Sequence, residues 1–155
     1  MAEPTVFVTD APERQALEAI ANGLRGFNDE AAGIDDHRPL AVVVQDPSTG
    51  ETIGGATGRT YLGLLFLDIF YLPRRLRGAG LGSRILAMAE EEGRKRGCRA
   101  AVLYTISFQA PGFYERHGWR MFGEIPCDPP GTSRIFMTKE LLPDRQSRGR
   151  VAPVG

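Results

Sequence analysis

The stretch Arg75-Leu76-Arg77-Gly78-Ala79-Gly80-Leu81-Gly82-Ser83 places three glycines at alternate positions beside two arginines. Glycines so spaced let the backbone turn tightly and leave amides uncovered by side chains. An apolar run, Leu64 to Leu72, leads in, and a helical pattern, Leu81 to Arg96, leads out. Amides at the start of a helix, where the dipole is positive, form an anion site suited to phosphate. Arg74, Arg75, Arg77 and Arg84 add positive charge around it. The chemistry indicated is capture of a phosphate-bearing ligand. A Walker loop would end in Gly-Lys-Ser/Thr, and Gly82-Ser83 lacks the lysine. A dinucleotide fingerprint needs G-x-G-x-x-G, and Gly78-x-Gly80-x-Gly82 has the wrong last interval. Asp68 is the second candidate, a lone carboxylate within Leu64-Leu65-Phe66-Leu67-Asp68-Ile69-Phe70. Burial there is costly unless the group is paired or used. The competing reading is an aspartate on a half-exposed face, or one tied to a structural partner.

The elements that position these groups follow from periodicity. Thr5 to Val8 reads as a short strand, and Asp10 with Glu13 forms a capping box for the next helix. Leu17, Ile20, Ala21 and Leu24 follow the spacing of one buried helical face, which Gly23 and Gly26 weaken and stop. Phe27 to Arg38 reads as polar and irregular, or as carrying a short helical turn. Leu40 to Gln45, Thr52 to Thr60 and Leu64 to Leu72 form a three-strand meander, its middle strand bulged by Gly54, Gly55 and Gly58. The helix Leu81 to Arg96 stops at Gly97. Cys98 to Ile106 follows this crossover helix and is expected parallel to Leu64–Leu72. A short helix from Ala110 to His117 precedes two closing strands, Trp119 to Ile125 and Ser133 to Thr138.

Length predicts one domain over residues 1–142, with a disordered tail over 143–155 that is poor in apolar residues. The formal net charge of +0 provides no global field for nucleic acid or membrane, and Glu90-Glu91-Glu92 interrupts any basic stripe on its helix. No apolar run approaches the ~18 residues of a membrane span. The N-terminus lacks a signal peptide's basic and apolar regions. Cys98 and Cys127 have no metal-ligand spacing and read as free thiols in the cytoplasm; no metal is expected.

Arg75-x-x-Gly78-x-Gly80 resembles the Arg/Gln-x-x-Gly-x-Gly/Ala signature of the GNAT superfamily of acyl-CoA-dependent N-acyltransferases. Ala110-Pro111-Gly112-Phe113-Tyr114-Glu115-Arg116-His117-Gly118-Trp119 is similar to that family's Ala-x-x-Leu/Phe-Tyr-x-x-x-Gly-Phe segment. The element order β-α-β-β-β-α-β-α-β-β matches the family up to about Leu142. The resemblance implies an α/β fold with a central mixed sheet of six to seven strands flanked by helices. It also implies acetyl-CoA as cosubstrate, held by Leu72, Arg75, Arg77, Gly78, Ala79, Gly80, Leu81, Gly82 and Ser83, with the loop amides on the pyrophosphate. Many members carry asparagine three residues before the segment's alanine; here Ser107 stands there, a shorter partner for the pantetheine arm, and Gln109 is a candidate to compensate.

An amine attacking a thioester must be neutral, and a lysine-like amine has a pKa of about 10.4 in water. A base, an oxyanion donor and an acid for the departing thiolate are therefore required. By resemblance Tyr114 is the acid, and an amide near Asp68 to Phe70 is the oxyanion donor. Asp68, or a water chain, is the base. The expected activity is direct acetyl transfer from acetyl-CoA to a primary amine of a small molecule or protein. The rivals are a non-catalytic acyl-CoA-binding regulatory module and a macromolecular acceptor such as a protein or aminoacyl-tRNA, although the neutral charge argues against RNA. A homodimer is expected by analogy, through exposed strand edges.

Overall fold

A computed structural model describes residues 2–142; the tail expected over 143–155 lies outside them. The described residues divide into two compact units, one ending at Asp35 and the other beginning at Asp36. In the first, helix α1 spans Arg14–Ala32 and ends at Gly33, which takes the left-handed conformation and bonds back to the Asp29 carbonyl. Four expectations fail in this unit. Thr5–Val8 forms no strand, and α1 runs through Gly23 and Gly26 into the segment read as irregular. Each interior glycine costs about 1 kcal/mol relative to alanine, too little to break nineteen helical residues. Helix α1 begins after Glu13 without a side-chain cap, so Asp10 does not cap it, and none of its residues is buried.

The second unit is built on a six-stranded sheet. Its strands are β1 (Arg38–Gln45), β2 (Thr52–Tyr61), β3 (Leu64–Tyr71), β4 (Ala100–Ile106), β5 (Arg120–Pro126) and β6 (Ser133–Glu140). The spatial order is β1-β2-β3-β4-β6-β5. All neighbours are antiparallel except β3 and β4, the parallel pair expected on either side of helix α2 (Leu81–Lys95). Short helix α3 (Pro111–Arg116) precedes β5.

Strand alternation sends Leu65 and Leu67 of β3, Ala101 and Leu103 of β4, and Met137 of β6 into one core with Leu86, Ala89, Tyr114 and Trp119. Helix α2 packs against β1, β2 and β3. Its buried stripe is Ile85, Leu86, Ala89, Glu90 and Gly93, whereas Met88 and Glu92 are not buried. A Cβ on Gly93 would lie 3.1 Å from Leu141 and 3.2 Å from Leu65, so the helix sits close to β3 there. The buried Glu90 pairs with Lys139 of β6, whose Nζ also donates to the His117 carbonyl at 2.7 Å. Arg96, at the end of α2, donates to the Pro39 carbonyl at 3.0 Å and to Thr60 Oγ1 at 3.1 Å, tying the helix to β1 and β2.

Two irregularities shape the site end of the sheet. The β3–β4 ladder pairs only Leu64, Leu65 and Phe66 with Ala100, Ala101 and Val102. On the other side of β3 the register jumps from Thr57↔Ile69 to Gly58↔Leu67, leaving Asp68 as the extra residue of a bulge. Gly58 is needed there: a Cβ would meet the Phe66 carbonyl oxygen at 2.0 Å. Among the described residues, no helix is long and apolar enough to cross a membrane.

Candidate active site

After β3 the chain passes Leu72 and Pro73 into a single 3₁₀ turn, Arg74–Leu76, closed by bonds to the Pro73 and Arg74 carbonyls. Arg77 then folds back, and its Nε donates to the Leu72 carbonyl at 2.8 Å, clasping the two ends of the turn. Gly78 (φ 85°) and Gly80 (φ 83°) are both left-handed. Nothing lies within 4 Å of a Cβ at either, so backbone conformation rather than crowding requires glycine. Gly80 is the N-cap of α2; no side chain caps the helix and no acidic residue stands in its first turn. The first helical bond runs from Arg84 to the Gly80 carbonyl. The amides of Leu81, Gly82 and Ser83 therefore have no acceptor within the helix, at its positive end.

This loop forms one wall of a groove of about 690 Å³, lined also by Phe70, Tyr71, Leu72, Thr105, Phe108, Gln109, Ala110, Phe113, Tyr114 and Arg116. From the loop itself, Arg77, Gly78, Gly80, Gly82 and Ser83 line it. Arg75, Ala79 and Leu81 do not; Arg75 is exposed on the 3₁₀ turn. Ser107 does not line the groove either. Its Oγ accepts from the Ser133 amide at 3.0 Å, pinning the end of β4 to β6.

A second cavity, about 300 Å³, is lined by Leu67, Asp68, Ile69 and Phe70 of β3, by Leu103, Tyr104, Thr105 and Ile106 of β4, and by Gln109, Tyr114 and Arg134. It opens where the parallel ladder has stopped. Phe70, Thr105, Gln109 and Tyr114 line both spaces. The helix-start residues Gly82 and Ser83 thus end one chamber, Asp68 lines the other, and Tyr114 stands at their junction.

Tyr114 is buried, with Phe70, Phe113 and Trp119 edge-on around it at centroid distances of 6.3, 5.2 and 5.9 Å. Burial pushes its hydroxyl up to about 12, so it keeps its proton throughout the physiological range. Asp68 is half-exposed, and Arg59 Nη1 lies 2.8 Å from Oδ1 and 3.0 Å from Oδ2. The Arg59 guanidinium rests 4.5 Å over the Phe66 ring. Asp68 is therefore a paired carboxylate on a bulge, not a buried one. Gln109 Oε1 accepts from Thr105 Oγ1 at 2.9 Å and from the Ile106 amide at 2.8 Å, fixing the turn after β4 at the junction. Sequence reasoning missed Thr105 and Arg134 as site residues. Both lie inside ordinary strand patterns, and only their register brings them to the splayed end of β3 and β4.

The family model for the acetyltransferase (GNAT) family matches residues 9–119. The chain belongs to this family. It is an acyl-CoA-dependent N-acetyltransferase of the GNAT family, which uses acetyl-CoA as donor. It is 33% identical over 134 residues to acetyltransferase Atu2258 of Agrobacterium fabrum, covering 86% of this chain and 97% of that one. It is 43% identical over 93 residues to blasticidin-S acetyltransferase of Streptomyces morookaense, covering 59% and 68%. The crystal structure of an acetyltransferase from Bacillus cereus superposes with a TM-score of 0.71 at 30% identity, over 86% of this chain and 97% of that chain. The GNAT sheet expected from the sequence is thus found.

Proposed function

We propose that the 690 Å³ groove holds coenzyme A, with the pyrophosphate on the amides running from Arg77 through Gly82 to Ser83, and that the smaller cavity receives a small-molecule primary amine. The observation that carries this reading is the pair of chambers meeting at Phe70, Thr105, Gln109 and Tyr114. A donor thioester in one and an amine in the other would be brought together where the β3–β4 ladder ends. Leu72 flanks the cofactor, and Arg75 contributes charge from the rim. A cavity of about 300 Å³ favours a small acceptor or the tip of a side chain over a folded surface, and a relative named for blasticidin S favours the small molecule.

In this reading the amine attacks the thioester carbonyl directly, the C–N bond forms, and the C–S bond breaks. Tyr114 gives its proton to the departing thiolate, a role suited to a hydroxyl that burial keeps neutral. Asp68 orients the incoming amine and accepts its proton, directly or through water. An amide of the bulged segment Asp68–Phe70 stabilises the oxyanion.

Release of CoA thiol, followed across an amine panel at saturating acetyl-CoA, tests the assignment. Asp68→Asn is expected to lower kcat/KM for the amine at least tenfold while CoA binds as before. An unchanged kcat/KM would remove Asp68 from the reaction.

A further inference from the structure

We propose that the acceptor carries a carboxylate as well as its amine, and that Arg134 is the residue that binds it. The inference rests on the acetyl-transfer reading above and narrows its substrate class.

The smaller cavity contains one carboxylate and one guanidinium among its lining residues, Asp68 and Arg134. They are not partners. Asp68 is engaged by Arg59, which does not line the cavity. Arg134 sits on β6 opposite Ile106 of β4 and Ile125 of β5, and its side chain makes no hydrogen bond or ion pair with any described residue. Its guanidinium lies 5.1 Å over the ring of Tyr104, another wall of the same cavity. A guanidinium over a ring keeps its in-plane N–H groups free, and that planar fork matches a carboxylate.

Charge settles what this fork is for. Asp68 and Arg59 cancel, so the cavity is left with the positive charge of Arg134. An acceptor bearing only an ammonium group would meet net repulsion; one that also bears an anion would be neutralised. The aromatic platform holds Arg134 in place without consuming its donors, as a specificity residue requires. Asp68 then faces the amine and Arg134 the acid, which orients an amino acid-like acceptor within the cavity.

The experiment compares matched acceptors: amino acids of differing chain length, their carboxamides and methyl esters, and aminophosphonates of the same length. Each is assayed by CoA thiol release with the wild-type enzyme, Arg134→Gln and Arg134→Lys. The wild type should prefer the acid over its amide by tenfold or more in kcat/KM. Arg134→Gln should bring that ratio to about one, and Arg134→Lys should restore part of it. CoA affinity of each variant, read by calorimetry, reports that it is folded. Turnover of neutral amines without preference for acids overturns the inference and leaves the acetyl-transfer reading standing. So does an acid preference that survives Arg134→Gln. A tenfold preference for the phosphonate overturns the assignment to a carboxylate. Absence of turnover with every amine overturns both.

Discussion

Ser83 Oγ and His117 Nε2 lie 2.9 Å apart, joining the first turn of α2 to the residue that closes α3. One end of this bond lines the groove, and the other follows Tyr114 by three residues. The Phe113 ring lies 4.9 Å from the His117 ring, and a Cβ on Gly82 would stand 3.5 Å from Phe113, so packing reinforces the link. The glycine loop proposed to hold the pyrophosphate and the helix of the proposed acid are thus held as a unit. A single such bond contributes about 0.5–1.5 kcal/mol. His117→Ala should therefore weaken CoA binding by roughly two- to tenfold, measured by calorimetry, and His117→Gln should recover part of the loss. Unchanged affinity in both would show that the loop holds its shape without this bond.

Tyr114→Phe tests the acid. Removing a general acid costs typically ~10²–10⁴-fold in rate, so kcat should fall by about a hundredfold with CoA affinity within twofold. The buried hydroxyl has a second consequence. Its folded-state value of about 12 lies above the ordinary 10.0, so between these values the unfolded chain has lost a proton that the folded chain keeps. Stability must then fall as pH rises from about 10 to 12, by up to about 3 kcal/mol. Thermal melts of Tyr114→Phe against wild type should lose that part of the alkaline slope.

At Gly80 the left-handed backbone and the helix N-terminus coincide. Gly80→Ala should cost about 1–2 kcal/mol from backbone strain alone. Gly80→Asp adds a negative charge where the pyrophosphate is proposed to sit, and CoA binding should be lost. If calorimetry finds normal CoA binding to Gly80→Asp, the loop does not hold the pyrophosphate.

Away from the chemistry, Glu90 and Lys139 form a partly buried ion pair between α2 and β6. Removing one partner strands the other. Lys139→Met leaves the carboxylate with the more buried of the two positions, the side chains being 23% exposed for Lys139 and 6% for Glu90. Breaking a buried pair costs about 3–5 kcal/mol, and Lys139→Met should lie at the upper end in urea unfolding, above Glu90→Gln. The reverse order would mean that Lys139 is held chiefly by the His117 carbonyl.

Much of the fold was legible because its signals are local. The alternation of Leu65 and Leu67, the Gly78–Gly80 turn, the periodicity of α2 and the stop at Gly97 are each written within a few residues. The crossover rule then made β3 and β4 parallel. Where a local signal was weak against its surroundings, the reading failed. Thr5–Val8 has strand-like residues without a ladder to join, and Gly23 and Gly26 were too few to end α1.

The sequence by itself determined the family, the donor chemistry and the glycine turn at the start of α2, since these depend on residue types at short fixed spacings. Only the tertiary structure decided how the site closes. Asp68 meets Arg59 because the β2–β3 register bulges at that point, and Ser107 turns away because Ser133 takes its hydroxyl. Arg134 arrives over Tyr104 through the β4–β6 register, and Tyr114 stands between two chambers where the β3–β4 ladder has ended at Phe66 and Val102. Register and splay are properties of strand pairs. A single strand's residues set which faces it offers, but the partner strand sets which atoms meet.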